Sequence, residues 1–126
     1  MTKKILVIDD EPGLTYTIKK ILEDNEFEVD TFNDPILALN NYKLNFYDLI
    51  ILDIKMPEMD GFELYTKIRE RDPKIKICFV TAITTFNEEF RKTRLVLGKT
   101  INEDYFIQKP IKTKDLIKKL TSIMNI

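Results

Sequence analysis

The chain has 126 residues, of which 44% are hydrophobic and 33% are charged, and its net charge is -1 at pH 7. This length and composition are typical of a single globular domain, residues 1–126, and exclude disordered and fibrous proteins. The near-zero net charge excludes long-range attraction of the whole molecule to nucleic acid or anionic lipid, so we expect no direct nucleic-acid partner and no membrane partner.

The N-terminus and the single cysteine indicate the compartment. The apolar run that begins at Ile5 stops at Asp9 and Asp10, which makes it far too short for a signal peptide or a membrane span. Cys78 cannot form an internal disulfide, and its apolar surroundings favour a buried structural thiol. We therefore predict a cytoplasmic location.

Five short apolar runs alternate with five amphipathic stretches, which predicts a doubly wound α/β fold: a five-stranded parallel sheet with helices on both faces. The predicted strands are residues 5–8, 27–32, 49–52, 75–80 and 105–107. Only the first, third and fourth are nearly continuous apolar runs, as expected of strands that are buried on both faces. We expect these three strands at the centre of the sheet.

Apolar residues at helical spacing predict five helices, and we interpret all five stripes as core. The stripes are Leu14, Ile18, Ile21 and Leu22; Leu39, Tyr42 and Phe46; Leu64, Tyr65 and Ile68; Phe86, Phe90 and Leu97; and Leu116, Ile117, Leu120, Ile123 and Met124. Pro12 and Pro35 fit first-turn positions of the first two helices. Asp60 and Glu63 have the spacing of a capping box at the start of the third.

Polar residues follow the carboxyl ends of four predicted strands. They are Asp9 and Asp10, Asp53, Thr81, and Lys109 with Pro110. Ligands of an open parallel sheet bind beyond these ends, at the point where the strand order reverses. We therefore expect these residues to meet at one edge of the sheet.

Three carboxylates in this group, those of Asp9, Asp10 and Asp53, would repel one another unless a cation or a proton relieved the repulsion. Mg²⁺ prefers oxygen ligands and commonly uses one or two carboxylates together with a substrate phosphate. The pattern therefore predicts a Mg²⁺ site. Mn²⁺ and Ca²⁺ are alternatives, although the chain has no EF-hand loop.

Four motifs at these strand ends resemble, in order, those of a response-regulator receiver domain of the chemotaxis-regulator type. They are Ile8-Asp9-Asp10-Glu11-Pro12, Leu52-Asp53-Ile54-Lys55-Met56-Pro57-Glu58-Met59-Asp60-Gly61, Val80-Thr81-Ala82 and Gln108-Lys109-Pro110. An isolated Asp-Asp or Lys-Pro pair is weak, but four motifs in order span almost the whole chain. The resemblance implies a receiver domain over residues 1–126 with the flavodoxin-like strand order 2-1-3-4-5.

The resemblance implies that Asp53 is the phosphoacceptor, the nucleophile that becomes an aspartyl phosphate. Asp10 would ligate Mg²⁺ directly and Asp9 directly or through water, while Asp53 and the backbone carbonyl of Lys55 complete the protein ligands. An ionised carboxylate needs no general base to attack phosphorus, so the absence of histidine is no obstacle. The phosphodonor would be a histidine kinase, a phosphotransfer protein or a small phosphodonor.

The same resemblance implies that Thr81, Ala82 and Lys109 bind the phosphoryl group. Lys109 would pair with its oxygens, Thr81 would donate a hydrogen bond, and Ala82 would leave room. Thr81 and Phe106 would form the switch, because inward movement of the threonine frees space for the aromatic ring. Pro110 is a candidate for a cis peptide bond.

The signalling face is our name for the predicted fourth helix, the fifth strand and the C-terminal helix. A downstream protein target or a second copy of the chain would dock there. Basic residues make this region positive: Arg91, Lys92, Arg94, Lys99, Lys112, Lys114, Lys118 and Lys119. Most such charges are simply solvated, and an acidic partner or a symmetric dimer is the alternative.

Three rival functions remain open from the sequence. A haloacid-dehalogenase-type phosphatase needs a second acid two residues after the nucleophile, where Lys55 stands. A flavodoxin-like electron carrier needs a Ser/Thr/Gly-rich phosphate loop after the first strand, where Asp9-Asp10-Glu11 would repel phosphate. An interaction-only receiver would accept no phosphate, and the complete residue set argues against it.

Overall fold

The computed structural model describes residues 2–82 and 105–126. The strands are β1 (Lys4–Ile8), β2 (Glu28–Phe32), β3 (Leu49–Asp53), β4 (Lys76–Thr81) and β5 (Phe106–Gln108), and the helices are α1 (Pro12–Asp24), α2 (Pro35–Asn40), α3 (Gly61–Arg71) and α4 (Thr113–Met124). α4 is the predicted C-terminal helix. The predicted fourth helix, with Phe86, Phe90 and Leu97, and the basic residues Arg91, Lys92, Arg94 and Lys99 lie outside the described residues.

All neighbouring strands pair in parallel, and the sheet order is β2-β1-β3-β4-β5. The predicted doubly wound α/β class and strand order are therefore confirmed. The predicted strand ends agree with the structure to within one residue. β3 and β4 each continue one residue further than predicted because Asp53 and Thr81, although polar, remain in the ladder and pair with Val80 and Gln108.

The central position predicted for the first, third and fourth strands is also confirmed. All five residues of β3 are buried, and β1 and β4 each have only their first residue partly exposed. β2, at one edge of the sheet, has a single buried residue. Continuous apolar sequence therefore marks the strands that are covered on both faces.

Alternate residues of the strands feed two separate hydrophobic clusters, one on each face of the sheet. Leu6 and Ile8 of β1 join the cluster that includes Ala38 of α2 and Leu64 of α3. Ile5 and Val7 join the other, which includes Ile18 and Leu22 of α1 and Leu116 and Leu120 of α4. The four helices within the described residues thus lie two on each face of the sheet.

One predicted stripe is wrong as a helix. α2 ends at Asn40, so Tyr42 and Phe46 lie beyond it rather than continuing the turn of Leu39. The Asn41 backbone amide and side-chain Nδ2 both donate to the Leu37 carbonyl oxygen, at 3.0 Å and 2.8 Å, and these bonds close the last turn of α2. Tyr42 still packs against the core, which explains the apolar pattern.

Cys78 in β4 is fully buried, as predicted, and burial raises the pKa of its thiol to about 12. Among the residues that the structure describes, no helix combines the length and the apolar character needed to cross a membrane.

Candidate functional site

Three carboxylates meet at the carboxyl end of the sheet. β1 and β3 are adjacent, and Ile8 pairs with Leu52, so Asp9 and Asp53 lie side by side in the next register position. One carboxylate oxygen from each of Asp9, Asp10 and Asp53 lies within 4.8 Å of the other two. Asp9 is 2% exposed and Asp53 is 4% exposed. Parallel pairing thus concentrates negative charge in a poorly hydrated place; we call these three residues the acidic cluster.

Lys109 brings an ammonium group to the acidic cluster. Its Nζ lies 3.1 Å from Asp9 Oδ2, 3.5 Å from Asp53 Oδ1 and 3.4 Å from Glu11 Oε1. The Lys109 amide donates to the Thr81 carbonyl oxygen at 2.8 Å, which extends the β4–β5 pairing to the end of the strands, and the Lys109–Pro110 peptide bond is cis. One positive charge therefore faces several acidic groups.

Glu11 at this position was missed from the sequence. The signal was its place directly after Asp9 and Asp10, which puts a third acid in the same loop. Its side chain is 65% exposed, so it contacts Lys109 from the solvent side. Solvent weakens that interaction relative to the buried one with Asp9.

The pKa values of the residues at this site are shifted by burial and by the closeness of their charges. Burial, followed by the neighbouring charge of Asp9, raises the pKa of Asp53 to about 7, against the lowering effect of Lys109. Burial also raises the pKa of Asp9, although the hydrogen bond from the Glu11 amide acts in the opposite direction. Burial lowers the pKa of Lys109, but Asp9 and Asp53 more than offset it, so the lysine is held in its charged form.

Asp9 itself provides a test of whether a metal ion suits the cluster. Its Oδ1 accepts a hydrogen bond from the Glu11 amide at 2.9 Å, while its buried Oδ2 has no hydrogen-bond partner among the described residues. The 3.1 Å approach of Lys109 to Oδ2 is an ion pair without hydrogen-bond alignment. Lys109 offsets only part of the charge of the three carboxylates, and a ligated cation would offset the repulsion that remains. Three carboxylates form a hard donor set that fits Mg²⁺ or Mn²⁺.

The remaining predicted residues lie around the cluster. Thr81 ends β4 and is 3% exposed, and the exposed Ala82 follows it. Lys55 is exposed in the turn after β3. Phe106 in β5 is 9% exposed and stacks on Phe79, with ring centroids 5.1 Å apart.

A second feature missed from the sequence is the close contact at Gly61. Its amide donates to the Ile54 carbonyl oxygen at 2.7 Å. A Cβ on Gly61 would stand 2.8 Å from Ile54 Cα and would clash with the Asp53 carbonyl oxygen. Asp60 then caps α3 by accepting from the Glu63 amide at 2.9 Å, the contact expected from the capping-box spacing. Only glycine lets α3 start this close to the backbone of Asp53.

Comparison with known proteins identifies the family. The family model described as the response regulator receiver domain matches residues 5–121. The chain belongs to the response regulator receiver family. The receiver fold extends to solved structures: the Vibrio cholerae chemotaxis protein CheY4 has a TM-score of 0.83 and 27% identity, with 98% of this chain and 99% of that chain covered.

Receiver sequences among curated proteins are similar over nearly the whole chain. The transcriptional regulatory protein PhoP of Bacillus subtilis, which regulates alkaline phosphatase synthesis, is 32% identical over 98% of this chain and 49% of its own length. The hybrid signal transduction histidine kinase L of Dictyostelium discoideum is 38% identical over 92% of this chain and 7% of its own. The chain thus spans half or less of the length of these relatives.

A solved Borrelia burgdorferi structure of CheX with CheY, BeF3 and Mg²⁺ is also similar. Its TM-score is 0.77 and its identity is 26%, with 96% of this chain and 88% of that chain covered.

Proposed function

We propose that residues 1–126 form one receiver domain that accepts a phosphoryl group on Asp53 in a Mg²⁺-dependent reaction. The observation that carries the proposal is the acidic cluster, whose oxygens lie within 4.8 Å of one another and whose buried Asp9 Oδ2 has an ion pair with Lys109 but no hydrogen bond among the described residues. A fold tolerates such a concentration of charge where a cation is to be bound. The Mg²⁺ ligands would be Asp9, Asp10, Asp53 and the Lys55 backbone carbonyl, and Mn²⁺ would substitute.

In this reaction a carboxylate oxygen of Asp53 attacks phosphorus. A P–O bond to Asp53 forms, the bond from phosphorus to the donor breaks, and its electron pair leaves with the donor group. Bound Mg²⁺ would supply charge neutralisation for the phosphoryl oxygens. Lys109 is held beside Asp53 by its ion pairs and would neutralise a further phosphoryl oxygen. Thr81 would donate a hydrogen bond to another, and Ala82 would leave room.

The chain would not be an enzyme in the usual sense, because the phosphoryl group stays on the protein until water removes it. The phosphodonor would be a histidine kinase or a phosphotransfer protein. Among the similar proteins are histidine kinases and transcriptional regulators, which are the two sides of a two-component system. A two-component protein of this kind would act in the cytoplasm.

Phosphorylation would be reported through Thr81 and Phe106. A phosphoryl group adds about -1.5 to -2 charge and strong acceptor oxygens, which would draw the Thr81 hydroxyl inward. Phe106 lacks a hydroxyl that could hold it in solvent, and its burial against Phe79 agrees with the inward position as the favoured one. Phosphorylation would deplete any outward rotamer. The signalling face, which includes Lys112, Lys114, Lys118 and Lys119, would then bind a downstream protein or a second copy.

The deciding experiment is phosphorylation of the purified protein with acetyl phosphate and Mg²⁺, followed by intact-mass and peptide mass spectrometry. We expect a mass increase of one phosphoryl group, located at residue 53, that is lost with EDTA and in Asp53→Asn. Asp24→Asn, which removes an exposed carboxylate at the end of α1, is the matched control and should be labelled normally. Labelling at another residue, or none with either acetyl phosphate or a cognate kinase, contradicts the proposal.

Beryllofluoride separates phosphate acceptance from an interaction-only role. If beryllofluoride and Mg²⁺ shift the NMR signals of Thr81 and Phe106 in the wild type but not in Asp53→Asn, the switch is supported. Unchanged Phe106 signals in a protein that binds beryllofluoride would leave Asp53 as the acceptor and remove Phe106 from the switch. No beryllofluoride binding at all would favour an interaction-only receiver.

A further inference from the structure

Asn33 connects the end of β2 to the loop that carries two residues of the acidic cluster. Its Nδ2 donates to the Asp9 carbonyl oxygen at 2.9 Å and to Thr15 Oγ1 at 2.9 Å. The amide nitrogen has two hydrogens, and this pair of bonds uses both. We propose that Asn33 is a positioning residue for the acidic cluster, acting through the Asp9 carbonyl with Thr15 as its anchor.

Thr15 is a suitable anchor because it is buried and hydrogen-bonded within α1. It is 3% exposed in the first turns of α1, and its Oγ1 donates to the Pro12 carbonyl oxygen at 3.0 Å while accepting from Asn33. The hydroxyl therefore uses its single hydrogen within α1 and offers a lone pair to Asn33. Asn33 is thus tied to a rigid element rather than to another loop.

A hydrogen bond to the Asp9 carbonyl oxygen can fix the position of two residues of the acidic cluster. It belongs to the peptide that joins Asp9 to Asp10, so its orientation constrains the direction of both side chains. The Asp9 amide donates to the Phe32 carbonyl oxygen at 3.2 Å, and the Asn33 side chain adds a second connection from the same end of β2. The loop from Asp9 to Glu11 is therefore held on one side by β2 and on the other by α1.

The Asn33 hydrogen bonds matter because the carboxylates of the acidic cluster repel one another when no cation is bound. Asp9, Asp10 and Asp53 would lower their mutual repulsion by moving apart, and Asp9 and Asp10 lie in the short loop that follows β1. Holding the Asp9–Asp10 peptide keeps the carboxylates together before the ion arrives, so less reorganisation accompanies binding. Groups that orient metal ligands in this way typically change metal affinity about 10–100-fold when removed.

This inference rests on the proposed function, since it assumes a divalent ion at the acidic cluster. The first measurement is therefore the Mg²⁺ dissociation constant by calorimetry, for the wild type and for Asn33→Ala. We expect the constant to rise about 10-fold in Asn33→Ala. Asn41→Ala is the matched control: Asn41 is also exposed and also donates to a backbone carbonyl, that of Leu37, but at the end of α2. Its constant should equal that of the wild type.

Substitution at Thr15 tests the anchor. Thr15→Val removes the hydroxyl at nearly constant shape and should raise the Mg²⁺ constant, whereas Thr15→Ser keeps both hydrogen bonds and should restore it. Amide hydrogen exchange in metal-free protein gives a second measurement that does not depend on Mg²⁺ binding. The Glu11 amide, bonded to Asp9 Oδ1 in the wild type, should exchange its hydrogen faster in Asn33→Ala when EDTA is present.

Acetyl phosphate labelling separates positioning from general damage. Asn33→Ala should need more Mg²⁺ for half-maximal labelling and should recover the wild-type rate when Mg²⁺ saturates. An unchanged Mg²⁺ constant in Asn33→Ala overturns the inference while leaving the proposed function intact. Equal losses in Asn33→Ala and Asn41→Ala also overturn it. A wild type that binds no Mg²⁺ overturns both, and the calorimetry on the wild type alone distinguishes that case.

Discussion

The acidic cluster differs from a second region in how its carboxylates are paired with donors. We call the second region the tyrosine region; it contains Asp30 and Asp72 with Tyr47 and Tyr42. In the tyrosine region Tyr42 donates to Asp72 Oδ2 and Tyr47 to Asp30 Oδ2, each at 2.8 Å. Each carboxylate there has its own donor, and neither belongs to a group of three or more acids among the residues that the structure describes. In the acidic cluster Asp9 and Asp53 share one lysine, Lys109, and a buried Asp9 oxygen has no hydrogen bond among the described residues.

The difference separates a structural use of aspartate from the metal-binding use that we propose for the acidic cluster. A buried carboxylate that only supports the fold is paired with a neutral donor, which is what Tyr42 gives to Asp72. Burial, with the neighbouring aspartate next, also raises the pKa of Tyr42, so the phenol keeps its proton and remains a donor. We expect the acidic cluster, whose charge Lys109 offsets only in part, to lower stability until a metal ion binds. Stability measurements with and without metal test whether the two regions differ in this way.

The largest effect is expected from Asp53→Asn in metal-free protein. Because the folded pKa of Asp53 is raised from 3.8 to about 7, its contribution to stability is fully present below about pH 4 and is lost as pH rises through 7. Asn removes that loss, so at pH 8 with EDTA the variant should be more stable than the wild type by on the order of 2–4 kcal/mol. Urea unfolding against pH measures this. Saturating Mg²⁺ should shrink the difference, and a wild type that is the more stable of the two in EDTA would contradict the cost assigned to the cluster.

Gly61→Ala is expected to have the next largest effect, in the opposite direction. The added Cβ meets backbone atoms of Asp53 and Ile54, which cannot rotate away as a side chain could. We expect a loss of about 1–3 kcal/mol in the free energy of unfolding and a weaker Mg²⁺ affinity. Gly13→Ala is the matched control, since a Cβ at Gly13 meets nothing within 4 Å, and it should be neutral or stabilising by up to about 1 kcal/mol. Equal losses in the two variants would show that the contact at Gly61 is not the cause.

Tyr42→Phe probes the tyrosine region. It leaves Asp72, which is 7% exposed, without its phenol donor, so we expect a loss of about 1–2 kcal/mol that Mg²⁺ does not reverse. The matched change Tyr16→Phe removes a hydroxyl from a side chain that is 63% exposed and should change little. If Mg²⁺ compensated for Tyr42→Phe, the two regions would be coupled and the comparison would fail.

Glu11→Gln is expected to have the smallest effect. Glu11 contacts Lys109 from the solvent side, where an ion pair contributes about 0–1 kcal/mol. Stability should therefore change by less than about 0.5 kcal/mol, while the release of Lys109 should modestly raise the rate of labelling by acetyl phosphate at Asp53. Chemical denaturation and the labelling rate measure the two effects, and a large loss of stability would show that Glu11 does more than face Lys109.

Some features of the fold were readable from local pattern and others were not. The stripe of Leu39, Tyr42 and Phe46 suggested one helix because Tyr42 is apolar enough to pack on the core; its phenol, however, bonds to Asp72, 30 residues away in sequence. The helix stops at Asn40, and the spacing of apolar residues does not report where a helix ends. Asn33 was missed for a similar reason: its two partners lie 24 and 18 residues away.

By itself the sequence determined the α/β class, the central strands and the strand ends that carry Asp9, Asp10, Asp53, Thr81 and Lys109, because continuous apolar runs and the polar residues that stop them are local properties of the chain. Only the tertiary structure decided which carboxylate oxygen is left without a hydrogen bond, how Lys109 divides its charge among three acids, and why residue 61 has no side chain. Those outcomes depend on distances between segments that parallel pairing brings together, and distances of that kind have no local signature.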